Sequence, residues 1–224
     1  GEAARIEAGT VMNAHDVTQG TDDWQALRLG KVTASRLADL MARTRNGWGA
    51  SRQNYMAELV AERLTGVKTE GFSNAAIKWG LEMEPQAREA YSFFADVDVA
   101  QTGFVDHPKI AMTGASPDGL IGDAGLVEIK CPLTATHIET LLTASVREKY
   151  LFQMQWQMAC TGRQWCDFVS YDPRMPERMR YFCQRVPRND RLIADLEREV
   201  SEFLREVADK VAALQAKYPE RIAA

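Results

Sequence analysis

Apolar positions follow a helical spacing up to about residue 95 and a strand-like alternation after it. In "SRLADLMAR", Leu37, Leu40 and Met41 share one helical face, and Ser35 is expected to cap the helix N-terminus. "GWGASRQ" (47–53) reads as a turn-rich loop, and "NYMAELVAERLTG" as a helix closed by Gly66. "NAAIKWGLEMEPQAREAYSFFA" (74–95) is helical in pattern, with Pro85 expected to break or restart it. Then "VDVAQTGFV", "IAMTGASPDGLIG" and "GLVEIKC" alternate between Gly and Pro punctuation, as successive strands do. A helix over about 147–161, the strands "QWCDFVSYD" and "MRYFCQRV", and a long amphipathic helix over about 189–217 complete the pattern. Residues 1–20 are weakly patterned and are expected to form an irregular arm. With no repeat and no Pro/Gly/Ser-rich linker, the chain reads as one domain over 1–224. The predicted class is α/β (α+β), a central mixed β-sheet flanked by helices.

Composition narrows the functional classes. At 224 residues, 46% hydrophobic and 26% charged, the chain has the make-up of a globular domain with a full core. No apolar run approaches the roughly 20 residues of a bilayer span, and no signal-peptide pattern opens the chain; the expectation is a cytoplasmic protein without a membrane partner. A net charge of −4 excludes a globally basic nucleic-acid binder but not DNA, because 27 Lys and Arg suffice to line one groove. Cys131, Cys160, Cys166 and Cys183 show no C-x-x-C spacing, and His15, His107 and His137 are dispersed, which argues against zinc. Reduced buried thiols are expected, an iron–sulfur cluster held by all four being the alternative.

The chemistry concentrates in "SPDGLIGDAGLVEIKCP", residues 116–132. On a strand, Glu128 and Lys130 point to one face while Ile129 enters the core. A Gly-containing turn folds Asp118 back beside Glu128. Two carboxylates that close repel unless a hard cation lies between them, and oxygen-only ligation suits Mg²⁺ or Mn²⁺. An adjacent Lys130 orients or deprotonates a water and offsets charge at phosphorus, which together describe a phosphodiester hydrolase. An exposed, charge-tipped hairpin is the bland alternative. The Asp-x9-Glu-x-Lys spacing matches the PD-(D/E)xK nuclease signature. Trp24 reads either as core or as a base-stacking ring, and Arg45 and Arg52, in or beside the 47–53 loop, as contacts to backbone phosphates.

Five ordered blocks make a resemblance specific: "DDWQALRLGKVTAS" (22–35), "KWGLEMEPQAR" (78–88), "SPDGL" with "VEIKCP", "YLFQMQWQM" (150–158) and "YDPRM" (171–175). With them the chain resembles the phage lambda exonuclease family, the YqaJ-like viral recombinase nucleases. The resemblance implies a restriction-endonuclease-like core. It implies a two-metal-ion site ligated by Asp118, Glu128 and the Ile129 carbonyl, with Glu84 completing the second metal site and Lys130 as the catalytic ammonium. Gln153 and Gln155 fall on the family's Q-x-Q block, where the second glutamine contacts the reacting strand; Gln157 shares a helical face with Gln153. Arg28, Ser35 and Ser116 match a pocket for a 5′ phosphate, and Ile77 an apolar wedge that parts the duplex. The loop 44–53 and the helix 134–149 depart from the family pattern.

For activity, the resemblance implies a Mg²⁺-dependent 5′→3′ exonuclease on the ends of linear double-stranded DNA, leaving 3′ tails. Mn²⁺ is expected to substitute, and Ca²⁺ to support binding but not cutting. The resemblance further implies a ring-shaped homotrimer and a single-strand annealing protein as recombination partner. Competing readings are another PD-(D/E)xK nuclease, restriction-like or helicase-associated with an iron–sulfur cluster, and a catalytically silent DNA-end-binding module.

Overall fold

The structure is a computed structural model describing residues 12–69 and 75–219. Most of the expected N-terminal arm and the expected helix start at Asn74 lie outside the described residues. In chain order the elements are β1 (Asn13–Ala14), α1 (Asp22–Arg28), β2 (Val32–Thr33), α2 (Leu37–Leu40), β3 (Arg43–Thr44), β4 (Gly47–Trp48), α3 (Ala50–Thr65) and α4 (Ala75–Ala95). Then come β5 (Val105–Asp106), β6 (Thr113–Ala115), β7 (Gly119–Ile121), β8 (Gly125–Lys130), α5 (Thr134–Thr143), α6 (Glu148–Thr161), β9 (Trp165–Tyr171), β10 (Tyr181–Pro187) and α7 (Asp190–Lys217).

The class is the expected one, mixed sheets flanked by helices, but among the described residues the strands divide into two four-stranded sheets and a two-stranded β3–β4 sheet rather than one central sheet. One has the order β1-β5-β6-β2 and the other β10-β9-β8-β7. The chain crosses from the first to the second through Ser116–Pro117–Asp118, between β6 and β7, so the acidic residue of the signature sits at the elbow. In the second sheet β8 pairs parallel to β9 and antiparallel to β7, with Gly119 opposite Val127 and Ile121 opposite Gly125. Gly119 is required by close approach: a Cβ there would lie 2.2 Å from Val99 Cγ1.

Strand β8 lies between two cores, which explains its nearly unbroken apolar sequence. Leu126 belongs to a large cluster with Leu37, Leu59, Trp156 and Phe203, contributed by the α2, α3, α6 and α7 side. Val127 and Ile129 belong to a second cluster with Ala87 and Tyr91 of α4. Strand parity therefore sends Glu128 and Lys130 to the face that carries α6. Tyr91 fixes the seating of α4 by donating its hydroxyl to Asp167 on β9 (2.8 Å), and Arg185 of β10 holds the same carboxylate from the other side.

Several local expectations are corrected. Asn13 and Ala14 pair with Val105 and Asp106, so part of the supposed arm is an edge strand. Ser35 does not cap a helix: it lies in a 3-10 turn (Ala34–Arg36), its Oγ is 3.4 Å from Thr33 Oγ1, and α2 ends at Leu40. Pro85 does not break α4, which is continuous from Ala75 to Ala95. The Gly-rich 47–53 segment is the second arm of a β3–β4 hairpin and leads directly into α3, whose C-terminus is closed by Gly66 at φ 67° as expected. "VDVAQTGFV" is mostly irregular, with Ala100 bridging to Leu120 before β5.

Arg52 is the largest correction. It does not face a phosphate: it is fully buried in α3, donates to Leu40 O (3.1 Å) and Glu206 (2.8 Å), and lies over the Trp48 and Phe203 rings. A guanidinium flattened between two aromatics is a packing element. Arg52→Ala is expected to lower stability by about 3 kcal/mol in urea unfolding, through lost packing and a broken buried ion pair.

His107 makes a second fold-level prediction. Its Nδ1 accepts from the backbone N–H of Lys109 (3.2 Å) and Ile110 (3.1 Å), its ring stacks on Trp156, and Glu197 Oε1 is 3.2 Å from Nε2. Burial pulls its pKa down despite the opposing attraction of Glu197. A depressed histidine pKa means the unfolded chain takes up a proton first as pH falls, so stability is full above the ordinary histidine value of about 6.5 and declines below it. The urea midpoint should fall between pH 7 and pH 5, and this decline should be smaller in His107→Asn.

Candidate active site

Glu128 is a carboxylate with 1% exposure at the centre of the fold, so every oxygen must be satisfied. Oε1 accepts from Gln153 Nε2 (2.7 Å) and lies 2.5 Å from Lys130 Nζ, while Oε2 accepts from Gln157 Nε2 (2.6 Å). The two glutamines are one helical turn apart on α6 and close on the carboxylate as a pair. Gln155 is the corrected residue here. Two positions along the helix, it faces the other way, donating to Pro187 O (2.9 Å) and accepting from Asn189 N (2.8 Å). The i, i+4 spacing of Gln153 and Gln157 was the signal for the pair, and the motif match to Gln155 concealed it.

Asp118 comes beside Glu128 because the β7–β8 hairpin places them opposite one another, and its Oδ2 accepts from Ile129 N (2.7 Å). Burial and then the negative charge of Glu128, with a smaller push from Glu84, raise the Asp118 pKa well above the carboxylate range. Burial works against the Lys130 ammonium, but Glu128 and Asp118 outweigh it and raise its pKa, so Lys130 is a cation at neutral pH. Its Nζ also lies 5.3 Å from the centre of the Tyr150 ring.

A cleft of about 830 Å³ reaches Asp118 and is lined also by Glu84, Arg88, Trp24 and Arg28 among others, with Glu128 buried behind Asp118. Glu84 is half-buried on α4 and ion-paired with Arg88. The Arg28 guanidinium lies 3.8 Å from the centre of the Trp24 ring, and Trp24 Nε1 donates to Ser116 Oγ (2.9 Å). Trp24 is thus neither plain core nor a free ring: it ties Arg28 to the elbow that carries Asp118. Arg28 also lines a second cavity of about 220 Å³ with Thr33 and Ser35. Arg45 is exposed in the β3–β4 turn, and Ile77 is 48% exposed near the start of α4. The exit from β8 is pinned by Arg174, which donates to Pro132 O (3.2 Å) and grips Asp172 with two hydrogen bonds; Thr134 donates to the same carboxylate.

The Asp118 and Glu128 carboxylates are oxygen donors of the kind a hard cation takes, and the Glu128 charge adds to burial in pushing Asp118 up. Among the described residues no three His, Cys, Asp or Glu side chains are already gathered as a metal cage: Glu84 is engaged by Arg88 and Glu128 by Lys130 and its glutamines. The cysteines are likewise dispersed, Cys131 in one core, Cys160 and Cys166 in the other, and Cys183 exposed.

Mixed sheets flanked by helices, with Glu and Lys on one strand and Asp at the elbow that leads into its hairpin partner, agree with an α/β protein of the recombination-nuclease type. The YqaJ-like viral recombinase domain matches residues 23–164, more than half of the chain, and the protein belongs to that family. The alkaline exonuclease LHK-Exo from Laribacter hongkongensis is 56% identical, with a TM-score of 0.83 over 88% of this chain and 97% of that one. Its complex with dAMP gives a TM-score of 0.84 at the same identity and coverage. A phage-related exonuclease from Haemophilus somnus 129PT shares the fold at a TM-score of 0.65, with 16% identity over 82% of this chain and 96% of that one. No curated protein matches.

The glutamine pair yields a prediction that separates the three residues. Gln157→Ala is expected to lower kcat on DNA about 10- to 100-fold by freeing the Glu128 carboxylate, as loss of a supporting hydrogen bond does at metal sites. Gln155→Ala should leave kcat within about threefold while lowering the stability to unfolding by about 1 kcal/mol. Equal kinetic losses in both variants would contradict the assignment.

Proposed function

We propose that the protein degrades one strand of linear duplex DNA from its 5′ end in the presence of Mg²⁺, releasing 5′-mononucleotides and leaving a 3′ single-strand tail. That it is an exodeoxyribonuclease rests on its family and on its 56% identity to an alkaline exonuclease. Polarity, metal and recombination role are the finer reading, and the observation that supports it is the Glu128–Lys130 pair next to Asp118, a residue that lines the same cleft as Arg28.

Asp118, Glu128 and the Ile129 carbonyl, with Glu84, would hold Mg²⁺. When bound, that ion stabilises charge on the phosphoryl oxygens and lowers the pKa of water. Lys130, held as an ammonium, orients the attacking water by hydrogen bonding and offsets charge building at phosphorus rather than removing the proton. Gln153 and Gln157 keep Glu128 in one rotamer throughout. Arg28, with Ser35 and Ser116, receives the terminal dianion through a guanidinium fork and hydroxyl donors. Water oxygen bonds to phosphorus, the bond from phosphorus to the 3′ oxygen breaks, and that oxygen takes up a proton. The released nucleotide keeps its 5′ phosphate, and the shortened strand gains a new one, which restores the group that the Arg28 pocket recognises.

Mn²⁺ would substitute, whereas Ca²⁺, with looser coordination, would bind without turnover. A ring-shaped homotrimer, a single-strand annealing protein that loads on the emerging tail, and a cytoplasmic setting complete the reading. Among the described residues no helix is long and apolar enough to cross a membrane.

End-labelled linear duplex with Mg²⁺ tests it. Wild type should release mononucleotides from the 5′ end, and Lys130→Ala should be slower by about 100- to 1,000-fold. Replacing the 5′ phosphate by a hydroxyl should slow wild type by about tenfold or more, and Arg28→Ala far less. Release from the 3′ end, internal fragments, or a Lys130→Ala rate equal to wild type would each overturn it.

A further inference from the structure

One face of α4 carries Ile77, Leu81, Glu84 and Arg88 at three- and four-residue spacing. Leu81, Glu84 and Arg88 all line the cleft that contains Asp118, and Leu81 is 68% exposed there. The row thus runs from apolar side chains to a cation at the edge of the reacting groups. No sequence motif assigns a role to Arg88, yet its environment is unusual for a helix-surface arginine. Its side chain is only 17% exposed, its terminal nitrogen pairs with Glu84, and its Nε is buried with no hydrogen-bond partner among the described residues.

An unsatisfied buried N–H is costly, and Arg52 Nε and Arg63 Nη2 share that condition, but of the three arginines only Arg88 lines the cleft, where a change of rotamer would bring the donor to a ligand. An arginine that exchanges partners accounts for both facts. With the cleft empty, Arg88 neutralises Glu84; with a strand in place, a phosphate oxygen offers the acceptor that Nε lacks. The charge balance agrees. Asp118 and Glu84 line the cleft with two carboxylates, Glu128 lies buried behind them, and Arg88 is a cation built into the same helical face as Glu84.

We infer that Arg88 is a phosphate-binding residue of the cleft, contacting the backbone of the strand being degraded from the α4 side. This rests on the nuclease reading above. It differs from the Arg28 pocket in recognising an internal phosphodiester rather than a terminal dianion.

The test is a salt titration of duplex DNA affinity with Mg²⁺ present, in a Lys130→Ala background that slows hydrolysis. Arg88→Gln keeps an amide able to donate to Glu84 but removes the charge, and Arg88→Lys keeps the charge. Loss of one phosphate contact should flatten the slope of log K against log salt by about 0.9 in Arg88→Gln, equivalent to ~3.5-fold less affinity lost over a fourfold rise in salt. Arg88→Lys should keep the slope, and the 5′-phosphate to 5′-hydroxyl preference should be unchanged in both. An unchanged slope in Arg88→Gln, or an equal fall in both variants, overturns the contact. If wild type degrades the duplex while the slope is unchanged, only Arg88 is refuted; if wild type neither binds nor degrades it, the nuclease reading fails as well.

Discussion

A buried carboxylate is the constraint around which this molecule is arranged. Glu128 lies in the middle of β8, the strand shared by both hydrophobic clusters, where an uncompensated charge would cost several kcal/mol. The fold meets that demand with Lys130 on the same strand face and two amides from α6, and each requirement fixes another element. The parallel pairing of β8 with β9 requires a crossover, and the crossover supplies α6. The β7 hairpin brings Asp118 opposite Glu128, and the passage between the two sheets sets Ser116 within reach of Trp24. The cluster of Asp118, Glu128 and Lys130 is a by-product of satisfying one buried acid, which is why so much of the surrounding sequence is apolar.

The sequence made the grouping of side chains around Glu128 more legible than the architecture. Asp118, Glu128 and Lys130 were readable because strand parity is strict: once β8 was recognised, Glu128 and Lys130 had to share a face, and Ile129 had to enter the core. Gly66 was readable for the same kind of reason, a left-handed cap that few other residues accept. Division of the strands between two sheets was not, because it depends on pairings between segments far apart in sequence. Pro85 misled because local helix propensity disfavours it, whereas packing of α4 along β8 and β9 keeps the helix continuous. Arg52 misled because an arginine in a Gly-rich segment resembles a phosphate ligand until Trp48, Phe203 and Glu206 are known to surround it.

The cleft and the smaller cavity meet at Arg28, and that shared wall links the smaller cavity to the side of Asp118. Trp24 is the connecting piece, with its ring face against the guanidinium and its indole N–H on Ser116, two residues before Asp118. A ligand that shifts Arg28 therefore acts on the elbow through a rigid aromatic plate rather than through flexible aliphatic chains. Lys31 and His15 grip Asp106 close by, at 2.8 Å and 2.7 Å, one lining the smaller cavity and the other the cleft. Salt-bridged β5 thus underpins both.

Gln155 bears on the rotational freedom of α6. Successive odd-numbered glutamines pull the helix from opposite sides, 153 and 157 towards Glu128 and 155 towards the start of α7. A roll about the helix axis that shortened one set of bonds would stretch the other, so the azimuth of α6 is locked as a key is held between two wards. The segment at Pro187–Asn189, though it lies off the cleft, thereby becomes part of the alignment of the Glu128 carboxylate. Displacement of that whole segment, rather than loss of one bond to it, would surface as a poorly aimed active site in a protein whose every reacting side chain was intact.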